Sequence, residues 1–308
     1  MIDIANILCP VDSSEFSRRA LDRAFSIARW YGSTVTALHV ITPAPVLVSS
    51  PYYVGPDPLT PVALAAPGLQ RVRADIECLV ESERVPEVEV GVVVEEAPDA
   101  YREILTQADR LDTDLIVMGT HGRSGFDRLF LGSVAEKVLR KSRRPVLTVP
   151  AHAPDTMPRG PLPFRRILVG MDFSAAARTA LDYAITLAGE ADATLTLVHV
   201  MEVVPPFQEA ASSIAFDTVA WSEDVRKRLR ALVSDSVRSF CTVEEVVTLG
   251  KPYCDILEVA REKASDLIVM GVQGRNAADL LLFGSTTHRV LCGATCPVLT
   301  LRERKAAA

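Results

Sequence analysis

The sequence predicts two tandem α/β domains, each a five-stranded parallel sheet covered by helices on both faces. Three observations carry this. Short apolar runs alternate with amphipathic segments. The whole alternation occurs twice: NILCPVDSSEFSRRALDRAF is answered by RILVGMDFSAAARTALDYAI, and DLIVMGTHGRSGFDRLFLGS by DLIVMGVQGRNAADLLLFGS. Runs such as LIVM are apolar without a break, as strands buried on both faces are.

In order, Ile7–Val11 is an apolar strand and Glu15–Trp30 a helix, with Ala20, Ala24, Ile27 and Ala28 at helical spacing. Thr34–Val40 alternates and is rich in branched residues, a strand. The Pro-rich stretch Thr42–Pro67 shows no regular signal. Leu69–Glu83 reads as a helix, Val88–Val94 as a strand and Asp99–Arg110 as a helix. Leu115–Gly119 is a strand, Ser133–Lys141 a helix and Pro145–Val149 the last strand. The second half repeats this order, with strands at Ile167–Met171, Thr194–Val200, Val243–Thr248, Leu267–Gly271 and Val298–Leu301. Strands separated by helices imply right-handed parallel crossovers. The domains are placed at 1–150 and 164–308, joined by the proline-rich spacer 151–163.

With 308 residues and 48% hydrophobic content, two cores form without metal or disulfide. The N-terminus MIDIANILCPVD has no secretory signature, and no apolar run spans a membrane. A net charge of −6 disfavours a nucleic-acid-binding face. Six cysteines fall at positions without a cysteine in the other half, so reduced thiols in the cytoplasm are expected. Cys292 and Cys296, four apart, could share a helical face as metal ligands, but no second ligand pair accompanies them.

The chemistry concentrates in a repeated glycine pattern. Gly119 and Gly122 are followed after nine residues by Gly132-Ser133; Gly271 and Gly274, after the same interval, by Gly284-Ser285. Ligands dock at the carboxyl ends of parallel strands. Glycine there permits positive φ and close backbone approach, and a helix opening behind it presents free N–H groups to an anion. The bland alternative is tight turns and helix caps. Asp12 and Asp172 end the first strand of each half and either accept hydrogen bonds from a ligand or precede the helix; Ser14 and Ser174 are better N-cap residues. His39 and His199 read as structural. His121 becomes Gln273 in the second half, which excludes a shared general base. Arg123 and Arg275 match, either for phosphate or as solvated charges. A Walker lysine and a GxGxxG motif are both absent.

The repeated G-x2-G-x9-G-S, the aspartate after strand one and L-H-V ending strand two resemble the universal stress protein family, ATP-binding type, over nearly the whole chain. The resemblance implies a Rossmann-like, adenine nucleotide alpha-hydrolase-like fold, with the halves packed as a pseudo-dimer through their last strands. It implies adenine contacts at Asp12, Val40, Asp172 and Val200, and ribose and phosphates beside Gly119 and Gly271. Phosphates would be bound by Gly122, Gly132 and Ser133, and by Gly274, Gly284 and Ser285. ATP or a related adenine nucleotide is the expected ligand, with Mg²⁺ held through water at the aspartates as an option. A homodimer and a regulatory protein partner are further expectations. Asn276 and Ala277 replace Ser124 and Gly125, making the second loop stiffer. A cytoplasmic stress-response regulator that binds ATP with little turnover is the leading reading. A slow ATPase and a nucleotide-free interaction module, using segments such as Tyr52–Tyr53 and Phe207–Trp221, are the alternatives.

Overall fold

A computed structural model describes residues 3–43, 45–49, 59–63, 68–120, 131–150, 164–202, 211–273 and 283–303. The first half runs β1 (Asn6–Pro10), α1 (Glu15–Tyr31), β2 (Thr34–Ile41), β3 (Pro45–Ser49), β4 (Leu59–Ala63), α2 (Leu69–Glu83), β5 (Val90–Glu96), α3 (Ala100–Arg110), β6 (Leu115–Gly119), α4 (Ser133–Lys141) and β7 (Val146–Val149). The second runs β8 (Arg166–Gly170), α5 (Ala175–Ala191), β9 (Thr194–Met201), α6 (Ala211–Ala231), α7 (Asp235–Arg238), β10 (Val243–Leu249), α8 (Pro252–Glu262), β11 (Leu267–Gly271), α9 (Ser285–Gly293) and β12 (Val298–Leu301).

Each half contributes five parallel strands, and the two sets join into one ten-stranded sheet, ordered β10-β9-β8-β11-β12-β7-β6-β1-β2-β5. The join is the antiparallel pair β7–β12, centred on Leu147 opposite its repeat equivalent Leu299. Two threonine hydroxyls stitch it reciprocally: Thr148 Oγ1 donates to Val298 O at 3.1 Å, and Thr300 Oγ1 to Val146 O at 3.2 Å. Both threonines are buried, so an unmade bond here would cost the full desolvation of the hydroxyl. One core layer runs under α1, α2, α5 and α6, and the other under α3, α4, α8 and α9; each layer is continuous across the join. Tyr31 Oη reinforces the join by donating to Glu190 Oε2 at 2.6 Å.

The stretch 42–67, expected to be irregular, carries the antiparallel hairpin β3–β4, registered from Pro45↔Ala63 to Ser49↔Leu59. A two-stranded ribbon has only edge strands, where proline is tolerated, so Pro45 and Pro61 do not forbid it. β5 begins two residues later than expected and extends to Glu96, because its pairing with β2 continues to Ile41↔Glu96. The edge position admits the acidic pair Glu95 and Glu96. Helix α9 ends at Gly293, so Cys296 lies beyond it and does not share a helical face with Cys292. Among the described residues no group of three metal-ligating side chains exists.

Candidate functional site

In the first half the strands run in the order β5-β2-β1-β6-β7. The chain leaves β1 toward β2 and later returns to its other side at β6. That reversal opens a crevice outside the carboxyl ends of β1 and β6, where open α/β sheets bind ligands. Asp12 follows β1, Val40 lies near the end of the adjacent β2, and Gly119 ends β6. Gly132 N donates to Thr120 O at 2.8 Å, which ties the start of α4 directly to the end of β6. Gly132 and Ser133 therefore join the same sheet end. Asp172, Val200, Gly271, Gly284 and Ser285 repeat the arrangement on β8, β9, β11 and α9, with Gly284 N donating to Val272 O at 3.0 Å. Because β7 and β12 are antiparallel, the two crevices open at opposite ends of the common sheet. Gly122, Arg123, Gly274, Arg275 and His121 lie outside the described residues.

The helix starts at these crevices fall into two kinds. Helices α1 and α5 are capped by serine: Ser14 Oγ accepts from Ser17 N at 3.3 Å and Ser174 Oγ from Ala177 N at 3.2 Å. Helices α4 and α9 begin behind Gly132 and Gly284, which have no side chain to cap with, and neither makes a side-chain cap hydrogen bond. First-turn N–H groups lack an intrahelical acceptor, and the helix dipole adds positive potential there. A phosphate oxygen is a fitting acceptor.

The glycines act differently from expectation. None of the described motif glycines has positive φ; Gly32, the C-cap of α1, does. Gly132 and Gly284 have φ −57° and −61°, open to any residue. Gly271 is required by packing: a Cβ there would stand 2.8 Å from Ala176 C and 2.9 Å from Ala177 N, in the first turn of α5. Positive φ appears one residue after each aspartate, at Ser13 (61°) and Phe173 (63°). This strained bend turns the chain from strand into helix.

The aspartates brace that bend. Asp12 Oδ1 accepts from Ser14 N at 3.2 Å, Ser14 Oγ at 2.5 Å and Ser17 Oγ at 2.7 Å. Asp172 Oδ1 accepts from Ser174 N at 2.9 Å. Each carboxylate thus holds its helix start through Oδ1. Buried Ser17 was not anticipated, and its signal is weak because the second half has Ala177. Each histidine has a backbone partner: His39 Nδ1 lies 2.7 Å from Val11 O and His199 Nδ1 2.6 Å from Met171 O. These bonds lock β2 to the end of β1, and β9 to the end of β8. Burial pushes the Cys9 thiol up, and the Cys296 thiol up to about 12, so neither supplies a thiolate near neutrality.

At the opposite end of the strands a second duplicated carboxylate is structural. Asp114 accepts from Ala5 N and Asn6 N, both at 2.9 Å; Asp266 accepts from Arg165 N at 2.9 Å and Arg166 N at 3.0 Å. Burial raises the Asp266 carboxyl above its ordinary range despite these bonds.

Fold and site together define a tandem, doubly wound α/β protein with a glycine-capped helix start beside each switch point. The sequence profile of the universal stress protein family matches residues 4–150 and 163–302, and the chain belongs to that family. A universal stress protein of Mycolicibacterium smegmatis is 29% identical over 97% of both chains. The crystal structure of a universal stress protein from Archaeoglobus fulgidus covers 97% of this chain and 98% of its own, with a TM-score of 0.61 and 21% identity; that likeness is one of fold. A universal stress protein in complex with cAMP matches 46% of this chain and 99% of its own, at 22% identity and a TM-score of 0.33.

Proposed function

We propose that this protein is an ATP-binding stress-response regulator of the cytoplasm, holding nucleotide with little or no turnover. The carrying observation is the contrast in caps: serine closes α1 and α5, whereas glycine leaves α4 and α9 open beside the switch points. Gly132, Ser133, Gly284 and Ser285 seat the phosphates through backbone N–H groups. Each charge-assisted bond contributes about 1.5–3 kcal/mol, so a few donors hold a triphosphate without a dedicated lysine. Gly119 and Gly271 flank the ribose and phosphates; Asp12 and Val40, with Asp172 and Val200, line the adenine position. Gly122, Arg123, Gly274 and Arg275 complete the phosphate loops in this reading. Mg²⁺, where present, is held through water at the aspartates. Units 1–150 and 164–308, joined by 151–163, each carry one seat.

Mass spectrometry of nucleotide released by heat from purified protein tests this. ATP near one or two per chain is expected. ADP alone, with phosphate release in vitro, would turn the reading into an ATPase. Gly132→Val with Gly284→Val should abolish retention with circular dichroism unchanged, since both φ values admit valine. Undiminished ATP in that folded double variant removes the proposed seat.

A further inference from the structure

Helices α3 and α4 carry a group of cations that the nucleotide seats do not use. Tyr101 lies buried at the start of α3. Lys137 and Lys141, one turn apart on α4, place Nζ 5.1 and 4.9 Å from its ring centroid, and Arg102 Cζ stands 5.8 Å away. Two of the three also point at the phenol oxygen: Arg102 Nε donates at 2.9 Å and Lys141 Nζ at 3.4 Å.

The second half shows how much of this is packing. Tyr253 repeats Tyr101, and Arg289, in the place of Lys137, lies 4.7 Å over its ring. Cys254 replaces Arg102 and Gly293 replaces Lys141. One cation on the ring thus suffices to dock this tyrosine; the other two in the first half are surplus. They are also weakly neutralised. Neighbouring Arg140 is paired with Glu136 at 2.6 Å, and Arg144 reaches Asp109 and Asp112 at 3.9 and 3.8 Å. Among the described residues, the three cations meet one carboxylate, Asp99, at 3.3 Å from Arg102. Three cations against one carboxylate leave two positive charges around one hydroxyl, on a chain whose net charge is −6. Crowded like charges repel, and a dianion relieves this. The phenol responds to the same field: Arg102 first, then Lys141, hold it below its ordinary value.

We propose that Arg102, Lys137, Lys141 and the Tyr101 hydroxyl form a binding site for a dianionic phosphate group, as the free ion or as a small monoester. Arg102 supplies a guanidinium edge, the lysines supply ammonium donors, and the phenol donates its proton to a phosphate oxygen.

Calorimetric titration of the full chain with inorganic phosphate and with phenyl phosphate, at matched ionic strength, tests this. Saturable binding of either is expected, weakened about tenfold or more by Arg102→Gln and by Lys141→Gln. Tighter binding of phenyl phosphate identifies the ligand as an ester; tighter inorganic phosphate identifies the free ion. Arg289→Gln in the second half should change nothing. These side chains are exposed, so unchanged circular dichroism is expected and is checked for each variant. No saturable binding, or equal binding by wild type and both first-half variants, overturns the site. Equal binding would leave the phosphate at the glycine-capped helices.

Discussion

The bends after β1 and after β8 follow nearly the same backbone path with different side chains. Ser13 and Phe173 share positive φ within two degrees, at 61° and 63°. In the first half, serine hydroxyls hold the bend through Asp12. In the second, Ala177 stands where Ser17 was, and the Phe173 ring packs instead: its centroid lies 4.9 Å from that of His199 at a tilt of 47°, with Arg228 Cζ 4.3 Å from its centroid. A bulky residue in the left-handed region is costly, so contacts elsewhere must offset it. The backbone course at the strand end is common to both copies; the means of stabilising it is not.

The largest effect is expected where backbone meets backbone. Gly271→Val puts a side chain against Ala176 and Ala177 main-chain atoms that cannot move alone. A loss of about 3 kcal/mol or more is expected in urea unfolding, and a loss below about 1 kcal/mol would show that α5 can slide. Next, Ser17→Ala makes the first bend resemble the second. It should cost about 1–2 kcal/mol, because the Asp12 amide and carboxylate both lose a partner; no change would mean that the serine network is incidental. Ser14→Ala should cost about 1–2 kcal/mol in urea unfolding and Ser174→Ala about 1 kcal/mol: both caps bond the third helical N–H, but Ser14 Oγ also donates to the Asp12 carboxylate.

Tyr31→Phe probes the join and should cost about 0.5–1 kcal/mol at pH 8. Burial first, then the bond to Glu190, raises the Tyr31 phenol. A folded value above the unfolded one gives a contribution that is whole below the unfolded phenol's value of about 10 and lost as pH climbs past it. The wild-type advantage in urea midpoint should therefore shrink between pH 9 and 11; a constant gap would discard this linkage.

Much of the fold could be read from the repeat, because a doubled pattern averages out local exceptions. Helix α2 spans Leu69–Glu83 and strand β6 Leu115–Gly119, as apolar spacing indicates. The β3–β4 hairpin was hidden because its prolines signal breaks, and only its two-stranded, all-edge context makes them harmless. The described candidate residues gather at the two sheet ends, but the cause of each was less legible. Gly271 has glycine because α5 presses on it, a long-range contact that no local spacing encodes. Ser17 and Tyr31 lack equivalents in the other half, so the repeat is silent about them. Joining through the last strands came from family likeness, and the apolar runs VLTV and VLTL agree with it.

Because both strands of the join belong to one polypeptide, their encounter is set by the thirteen-residue tether 151–163 and not by how much protein is present. A covalent linker makes such an encounter intramolecular, at an effective concentration set by its length and stiffness. Dilution that would dissociate a pair of unlinked chains leaves this arrangement whole, and the one-to-one ratio of the two halves is guaranteed by translation. Each half is then free to diverge in sequence, as Phe173 and Cys254 have from Ser13 and Arg102, without ever meeting an identical copy of itself across the central strands.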